Sequence, residues 1–323
     1  MICRASERIP PRRARSAWLA FALVLGPALY GCGQRGELLG VITSAGSEGG
    51  AGGGPDSPGG GRPRFGTPVA VSELNVPDAK DEDITLTGDL LEVFFMSERT
   101  GSRELWTSTR ASRSEPWQAP HPVSELNTNV SEITPSVSPD GLRIWFYSAA
   151  DPGGIWRSTR ASRKDAWTTA QPVSDWVLPA GTTLAIGPAL DESEQMVALA
   201  VLGASDMGWD LYSAARATSD GALPPFTPIA GVNGPANEHD PCLIDGGRDL
   251  FFSSTRAGEG DLFWARRAQP GQAFSSVVAL DELNTPTFLE SDPFLSEDRT
   301  TVFFASTRTG VADIYQAEVL SYE

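Results

Sequence analysis

Short apolar runs alternate with polar turns along most of this chain, and the runs recur. Aromatic and β-branched strings stand at EVFFMS (92–97), RIWFYS (143–148), DLFFSS (249–254) and TVFFAS (301–306), with a plainer MVALAV at 196–201. Before four of them comes a shorter run ending in a turn signal: Gly88-Asp89, Asp140-Gly141, Gly246-Gly247 or Asp298-Arg299. Asp-Gly and Gly-Gly between apolar runs mark hairpins, because such turns need positive φ. After each string comes a third run: ELWTST, GIWRST, DLYSAA, DLFWAR or DIYQAE. An aromatic residue (Trp117, Trp167, Phe226, Phe274) then introduces a fourth. Runs of this length and composition predict strands, and past the first 31 residues no long segment carries a helical period.

The strands group into units with a fixed period. An acidic residue precedes the first strand of four units, at Asp81, Glu132, Glu238 and Glu290, and in the third unit that position falls on Ala185. Successive spacings are 51, 53, 53 and 52 residues. Four short strands repeated about every fifty residues describe a β-propeller blade, which must stack on neighbours to bury both faces. Trp106, Trp145, Trp156, Phe252 and Phe304 fall where large side chains fill the wedge between blades. The last unit stops after its third strand. The missing fourth stands at the front, where Phe65-GTPVAVSELN matches Trp117-QAPHPVSELN and Phe274-SSVVALDELN. The expected fold is therefore all-β: a five-bladed propeller of four-stranded blades over 65–323. The N-terminal strand, 65–71, completes the last blade and closes the ring, which removes the exposed edges of an open array.

Three features carry a family resemblance: TPSVSPDGLRIWFYS in the second unit, the S-x-R-x-G words at Ser97/Arg99/Gly101, Ser254/Arg256/Gly258 and Ser306/Arg308/Gly310, and the D-I/L-Y/F/W words. They resemble the WD40-like repeats of TolB-type bacterial envelope propellers. The resemblance covers residues 65–323 and speaks for the fold. TolB-type propellers usually have six blades and an extra N-terminal domain, so TolB's partner surface does not carry over directly.

The front of the chain reads as targeting. Arg4, Arg8, Arg12, Arg13 and Arg15 precede an apolar stretch at 17–29, too short to span a bilayer. Leu29-Tyr30-Gly31-Cys32 then resembles a lipobox, with Cys32 as the lipidated residue of an exported lipoprotein and 1–31 as its signal peptide. Residues 32–64, rich in Gly, Ser and Pro, read as a flexible tether. An outer-membrane location is the expectation, with the lipid as the membrane partner. Cys242 is then the one thiol left in the mature chain, and its apolar neighbours suit a buried structural role.

Charge excludes one class of partner. The formal net charge is −16, and the first 31 residues hold +4, leaving −20 for the rest. Such a surface does not bind nucleic acid by bulk electrostatics. Enzyme motifs are missing: there is no G-x-S-x-G, H-E-x-x-H, phosphate loop or Cys-His pair, and no cofactor is implied. The candidate chemistry is acidic. Asp81, Asp83, Glu132, Glu238, Asp240, Glu290 and Asp292 sit where the chain enters each innermost strand, around one mouth of the central channel. They could hold a cation or a cationic ligand. Repetition in four of five units favours an architectural role instead. Likewise Arg99, Arg256 and Arg308 suit ion pairing with these acids better than anion capture. His239 has no second His at ligand spacing, so no metal site is assigned. The function expected is a non-catalytic, envelope-anchored module that binds an envelope protein or glycan across one propeller face. Two alternatives are a carbohydrate-active hydrolase using channel carboxylates and an ion-binding structural propeller.

Overall fold

The computed structural model describes residues 61–203 and 208–323; the leader, Cys32 and the tether up to residue 60 lie outside the described residues. Two short strands come first, β1 (Pro63–Phe65) and β2 (Val69–Ala70). Blade one comprises β3 (Asp81–Leu86), β4 (Glu92–Ser97), β5 (Glu104–Thr109) and β6 (His121–Pro122). Blade two comprises β7 (Glu132–Val137), β8 (Arg143–Ser148), β9 (Gly154–Thr159) and β10 (Gln171–Pro172). Blade three has longer inner strands, β11 (Thr182–Leu190), β12 (Met196–Gly203) and β13 (Trp209–Ala215), with β14 (Thr227–Pro228) outside. Blade four is β15 (Glu238–Ile244), β16 (Asp249–Ser254), β17 (Asp261–Arg266) and β18 (Ser276–Ala279). Blade five is β19 (Glu290–Leu295), β20 (Thr301–Ser306) and β21 (Asp313–Tyr322), completed by β1 and β2. The described residues contain no helix. The protein is a five-bladed β-propeller with antiparallel four-stranded blades.

The ring closes as the repeats require. Val69 and Ala70 pair with Gln316 and Tyr315, in the place β6 takes beside β5 in blade one. The pairing also begins earlier than the sequence boundary: Pro63 and Arg64, assigned to the tether by composition, pair with Tyr322 and Ser321. Arg62 N–H donates to the Glu323 carbonyl at 2.7 Å, and Glu323 N–H returns the bond at 2.9 Å. Since β21 runs away from the loops that lead into the inner strands, residue 61 sits at the opposite rim of the ring.

Second strands carry the core because both their faces are covered. Phe94 and Phe95 are adjacent, so they point to opposite neighbours. Phe94 packs with Ile144 and Phe146 of blade two, and Phe95 with Phe303 and Ile314 of blade five. All six of these side chains are essentially without exposure. The third strands of blades one and two run into T-R-A-S-R, at 109–113 and 159–163, and blade four has Arg267 at the same place. Arg110, Arg160 and Arg267 lie over Trp117, Trp167 and Phe274 with 4.3, 4.4 and 4.6 Å to the ring centroids. Each donates Nε–H to a carbonyl of the first hairpin turn of its own blade (Leu90, Gly141, Gly247) at 2.7–2.8 Å. One cation thus ties the turn to the start of the fourth strand. Among the five aromatics assigned to the wedges, Trp106, Trp145, Phe252 and Phe304 are buried, and Trp156 is partly so.

Candidate functional site

The seven acids of the inner-strand entries divide into two sets. Asp81, Glu132, Glu238 and Glu290 are completely buried, and they face the blade junctions rather than the channel. Glu238 accepts from Arg256 Nη2 at 2.8 Å, Ser254 Oγ at 2.9 Å and Gly234 N–H at 3.1 Å. Glu290 has the same set: Arg308, Ser306 and the Thr285 N–H. Asp81 takes Arg99 at 2.6 Å and the Val76 N–H at 2.9 Å. Glu132 has Ser148 and Thr128 but no arginine, because Ala150 stands at that position. The same Nη2 of Arg99, Arg256 and Arg308 reaches the carbonyl of Leu74, Val232 or Leu283, in the loop arriving from the preceding blade. The S-x-R words are therefore junction ties, and these four carboxylates are spoken for by backbone, hydroxyl and guanidinium donors.

An asparagine completes each tie and was not singled out from the sequence. Asn75, Asn127, Asn233 and Asn284 end the S-E-L-N-like words. Each accepts from and donates to one backbone position of the preceding blade's third strand, at 2.7–3.0 Å: Ile314, Leu105, Leu211 and Leu262. The repeated N was legible; its job as a surrogate strand residue was not.

Two residues further along the first strands, the backbone does something unusual five times. Asp83, Thr134, Gly187, Asp240 and Asp292 all have positive φ, between 51° and 63°. A bulge in the ladder accompanies each. Asp tolerates this conformation better than most residues, which supplies one reason for its recurrence. The kink also turns the side chain toward the next blade. Asp83 accepts from Thr134 N–H at 3.0 Å, and Thr134 Oγ1 from Gly187 N–H at 3.2 Å. Asp240 accepts from Ser253 Oγ at 2.6 Å and lies 3.5 Å from Asp292 N. Inner strands have one edge without a strand partner, and this belt satisfies N–H groups along it.

These positions and their predecessors form the channel mouth, and the mouth is not symmetric. Blades four, five and one contribute His239-Asp240, Ser291-Asp292 and Glu82-Asp83; blades two and three contribute Ile133-Thr134 and Ile186-Gly187. One arc is acidic and the other is neutral and largely apolar. Burial inside the ring pushes Glu82 up to about 7 and Asp83 up to about 6, with neighbouring carboxylates adding to both. Asp292 is raised well above the usual range by burial and by the charges of Asp240, Asp83 and Glu82. His239 is lowered by burial, so it is neutral at pH 7, and its ring lies 5.0 Å from Trp209. No salt bridge reaches Glu82, Asp83, Asp240 or Asp292 among the described residues, and no hydrogen-bond partner is found for the Glu82 carboxylate. Below the mouth the channel narrows between Ile84 and Pro135, Pro188, Pro241 and Pro293, leaving a cavity of about 90 Å³. The described residues hold no cluster of three or more metal-ligating side chains. Cys242 lines this channel but is buried: its thiol is pushed up to about 12 and accepts from Leu295 N–H at 3.4 Å, a structural role.

No family model matches the chain, and no curated protein matches it. Solved structures do. The α-L-arabinofuranosidase of Podospora anserina, determined with cellotriose, superposes with a TM-score of 0.56 at 10% identity, over 80% of this chain and 98% of that one. A family 117 glycoside hydrolase of Zobellia galactanivorans gives a TM-score of 0.52 at 13% identity, covering 80% and 91%. A putative TolB of Agrobacterium tumefaciens gives 0.48 at 17% identity, covering 76% and 78%. At these identities the likeness shows the fold alone.

Proposed function

We propose that the protein is a non-catalytic binding module of the cell envelope that takes a cationic group of a protein partner at the acidic arc of the channel mouth. The observation behind this reading is Glu82. It is the one carboxylate at its position in five blades, it has no hydrogen-bond partner among the described residues, and burial beside Asp83 makes its charge costly. A lysine or arginine side chain would supply the missing counter-charge while its aliphatic stem lies on Ile133 and Ile186. The other carboxylates of the arc already serve the belt, which favours binding over catalysis. Lipidation at Cys32 would hold the module to a membrane, most simply the outer one. Residue 61 sits at the far rim, so the mouth opens on the face of the propeller away from it.

Calorimetric titration with arginine- and lysine-containing peptides tests the site. Binding should weaken with salt and fall about tenfold in Glu82→Gln, as expected when a partly desolvated charge pair is lost. Equal affinity for acidic peptides, or no change in Glu82→Gln, overturns it. For the anchor, Cys32→Ser should move the protein from the membrane to the soluble fraction; unchanged membrane association refutes lipidation there.

A second reading is supported by the raised pKa values of Glu82, Asp83 and Asp292, because a general acid must keep its proton near neutral pH. On that reading the protein hydrolyses a glycan at the mouth. Turnover of any member of an arabinoxylan and oligosaccharide panel, lost in Asp83→Asn, would establish it; an inactive parent protein removes it for those substrates.

A further inference from the structure

The cavity of about 90 Å³ inside the channel has two unlike ends. Its inner end lies just below the mouth, where Ile84, Pro135, Pro188, Pro241 and Pro293 each follow a residue of positive φ. Its outer end reaches the first hairpin turns at the far rim. Phe294, partly exposed, and Ser136 stand between. The four acids of the lining, Asp191, Glu192, Glu194 and Glu297, all belong to the turns. The inner end is therefore apolar and the outer end negative.

Three of these acids are engaged and one is not. Asp191 accepts from Met196 N–H at 2.8 Å and Ser193 Oγ at 2.7 Å, and Glu194 is held by Arg143. Glu192 and Glu297 occupy the same position in blades three and five. Glu192 crosses to blade four and accepts from the N–H groups of Asp245 at 2.8 Å and Gly246 at 3.1 Å. Glu297 crosses to blade one, where Gly88 N–H is already given to the Pro139 carbonyl at 2.9 Å. The carboxylate lies so near Gly88 that a β-carbon there would stand 2.7 Å from Oε2. It has no hydrogen-bond or ion-pair partner among the described residues. Arg113, which reaches this rim from blade one, is committed to Asp298. Burial and the charges of Glu192 and Asp298 hold the Glu297 carboxyl above its usual range. Ser136 is idle as well. Thr85 and Cys242, at its position in blades one and four, accept from Val137 N–H and Leu295 N–H of the next blade. The Ser136 hydroxyl has no such partner among the described residues.

We propose that the far end of the channel binds a short alkylammonium ion tail first: the hydrocarbon chain fills the apolar inner end, and the ammonium group stops at the rim against Glu297. An apolar cavity of about 150 Å³ takes benzene, so this one limits the chain to about four carbons. The order of apolar and charged groups also selects the source of the cation. A lysine side chain of a partner enters ammonium first, which would carry its charge past Glu297 to Ile84 and the prolines, at a desolvation cost with no carboxylate to offset it. A free amine enters in the opposite sense. A divalent metal ion takes several oxygen ligands, and the described residues hold no cluster of three ligating side chains. This site lies at the other end of the channel from Glu82 and does not rest on the reading of the mouth.

The test is an NMR titration of the full chain with n-butylammonium chloride. It is run in a Glu82→Gln background, so that the mouth and the far end are judged apart. A ligand of this size binds in the millimolar range. Saturable shifts should appear, largest at Phe294 and Ser136. Affinity should fall about tenfold when Glu297→Gln removes the charged acceptor, and about tenfold when butan-1-ol replaces the ammonium ion. Ser136→Leu fills the cavity and should abolish binding. Glu297 makes no bond within the described residues, so Glu297→Gln keeps the fold, and its spectrum without ligand verifies this. Should Ser136→Leu not fold, the Glu297→Gln and butan-1-ol arms decide alone. Shifts that do not saturate overturn the site, as does an unchanged affinity in Glu297→Gln or equal binding of butan-1-ol. A lysine-containing peptide that displaces butylammonium at equal concentration overturns tail-first entry.

Discussion

The junctions of blades three with four and two with three solve one packing problem in opposite ways. The first carries the full polar tie: Glu238, Ser254, Arg256 and Asn233. At the second, Ala185, Val201, Gly203 and Val177 stand in those four places. Every polar member has been exchanged together for an apolar or small one. Trp145, Ala185, Val201 and Phe226 then share a hydrophobic cluster, and Trp176 lies 5.7 Å from Phe226. An ion pair spans this junction at the other rim, where Arg143 grips Glu194 at 2.5 Å. A buried network is safe when complete and safe when absent, because the cost lies in leaving one member without its partners. The third blade's departure is therefore a coherent alternative, and its missing acid does not by itself mark a site.

The sharpest way to break this comparison is to leave the tie half-made. Glu238→Ala strips a fully buried carboxylate from Arg256, Ser254 Oγ and Gly234 N–H. A loss of about 3 kcal/mol is expected, measured by denaturant unfolding. Converting Glu238→Ala, Ser254→Val and Arg256→Gly together, with Asn233 left on Leu211, should cost less than Glu238→Ala alone, because the guanidinium and the hydroxyl are no longer left without their carboxylate. Additive losses would show that the three residues act independently.

The junction of blades one and two is intermediate. It keeps Glu132, Ser148 and Asn127 and has no arginine. Asn127→Ala leaves the Leu105 N–H, on a fully buried residue, without its 2.8 Å acceptor. The Leu105 carbonyl keeps its bond from Val123 N–H. One orphaned buried donor sets the expectation at about 1–2 kcal/mol, below the loss from Glu238→Ala. An equal or larger loss would make the asparagine, and not the acid, the centre of the tie.

These contrasts also explain what the sequence could and could not convey. Period, strand count and ring closure were legible because they rest on repeated words; FGTPVAVSELN at the front implied the seam that β2 and β21 make. The pairing of Arg99, Arg256 and Arg308 with the acids was legible as well, since both partners repeat. The division of the acids was not. Asp81 and Asp83 are two residues apart, and strict alternation would put them on one face. The positive φ at Asp83 breaks that alternation, sending Asp81 into the junction and Asp83 to the channel. Glu82 was overlooked for the opposite reason: it does not repeat, so no alignment of units drew attention to it.

Val177→Asn is the mildest substitution and asks whether a single residue can restore the polar tie between blades two and three. Val177 occupies the asparagine's place and is 53% exposed. Elsewhere the asparagine is delivered by a turn, as when Leu126 and Asn127 N–H both bond the Val123 carbonyl at 3.0 and 3.1 Å. After Val173 the chain follows another course, and the Val177 carbonyl accepts from Phe226 N–H at 3.0 Å. An asparagine side chain there has no turn to aim it at β9, so the expected change in stability is within about 0.5 kcal/mol. A gain beyond about 1 kcal/mol would mean that the loop can still fold into the tied form. In that case the apolar junction would be held by residue choice alone, whereas an unchanged stability assigns the difference to the path of the loop.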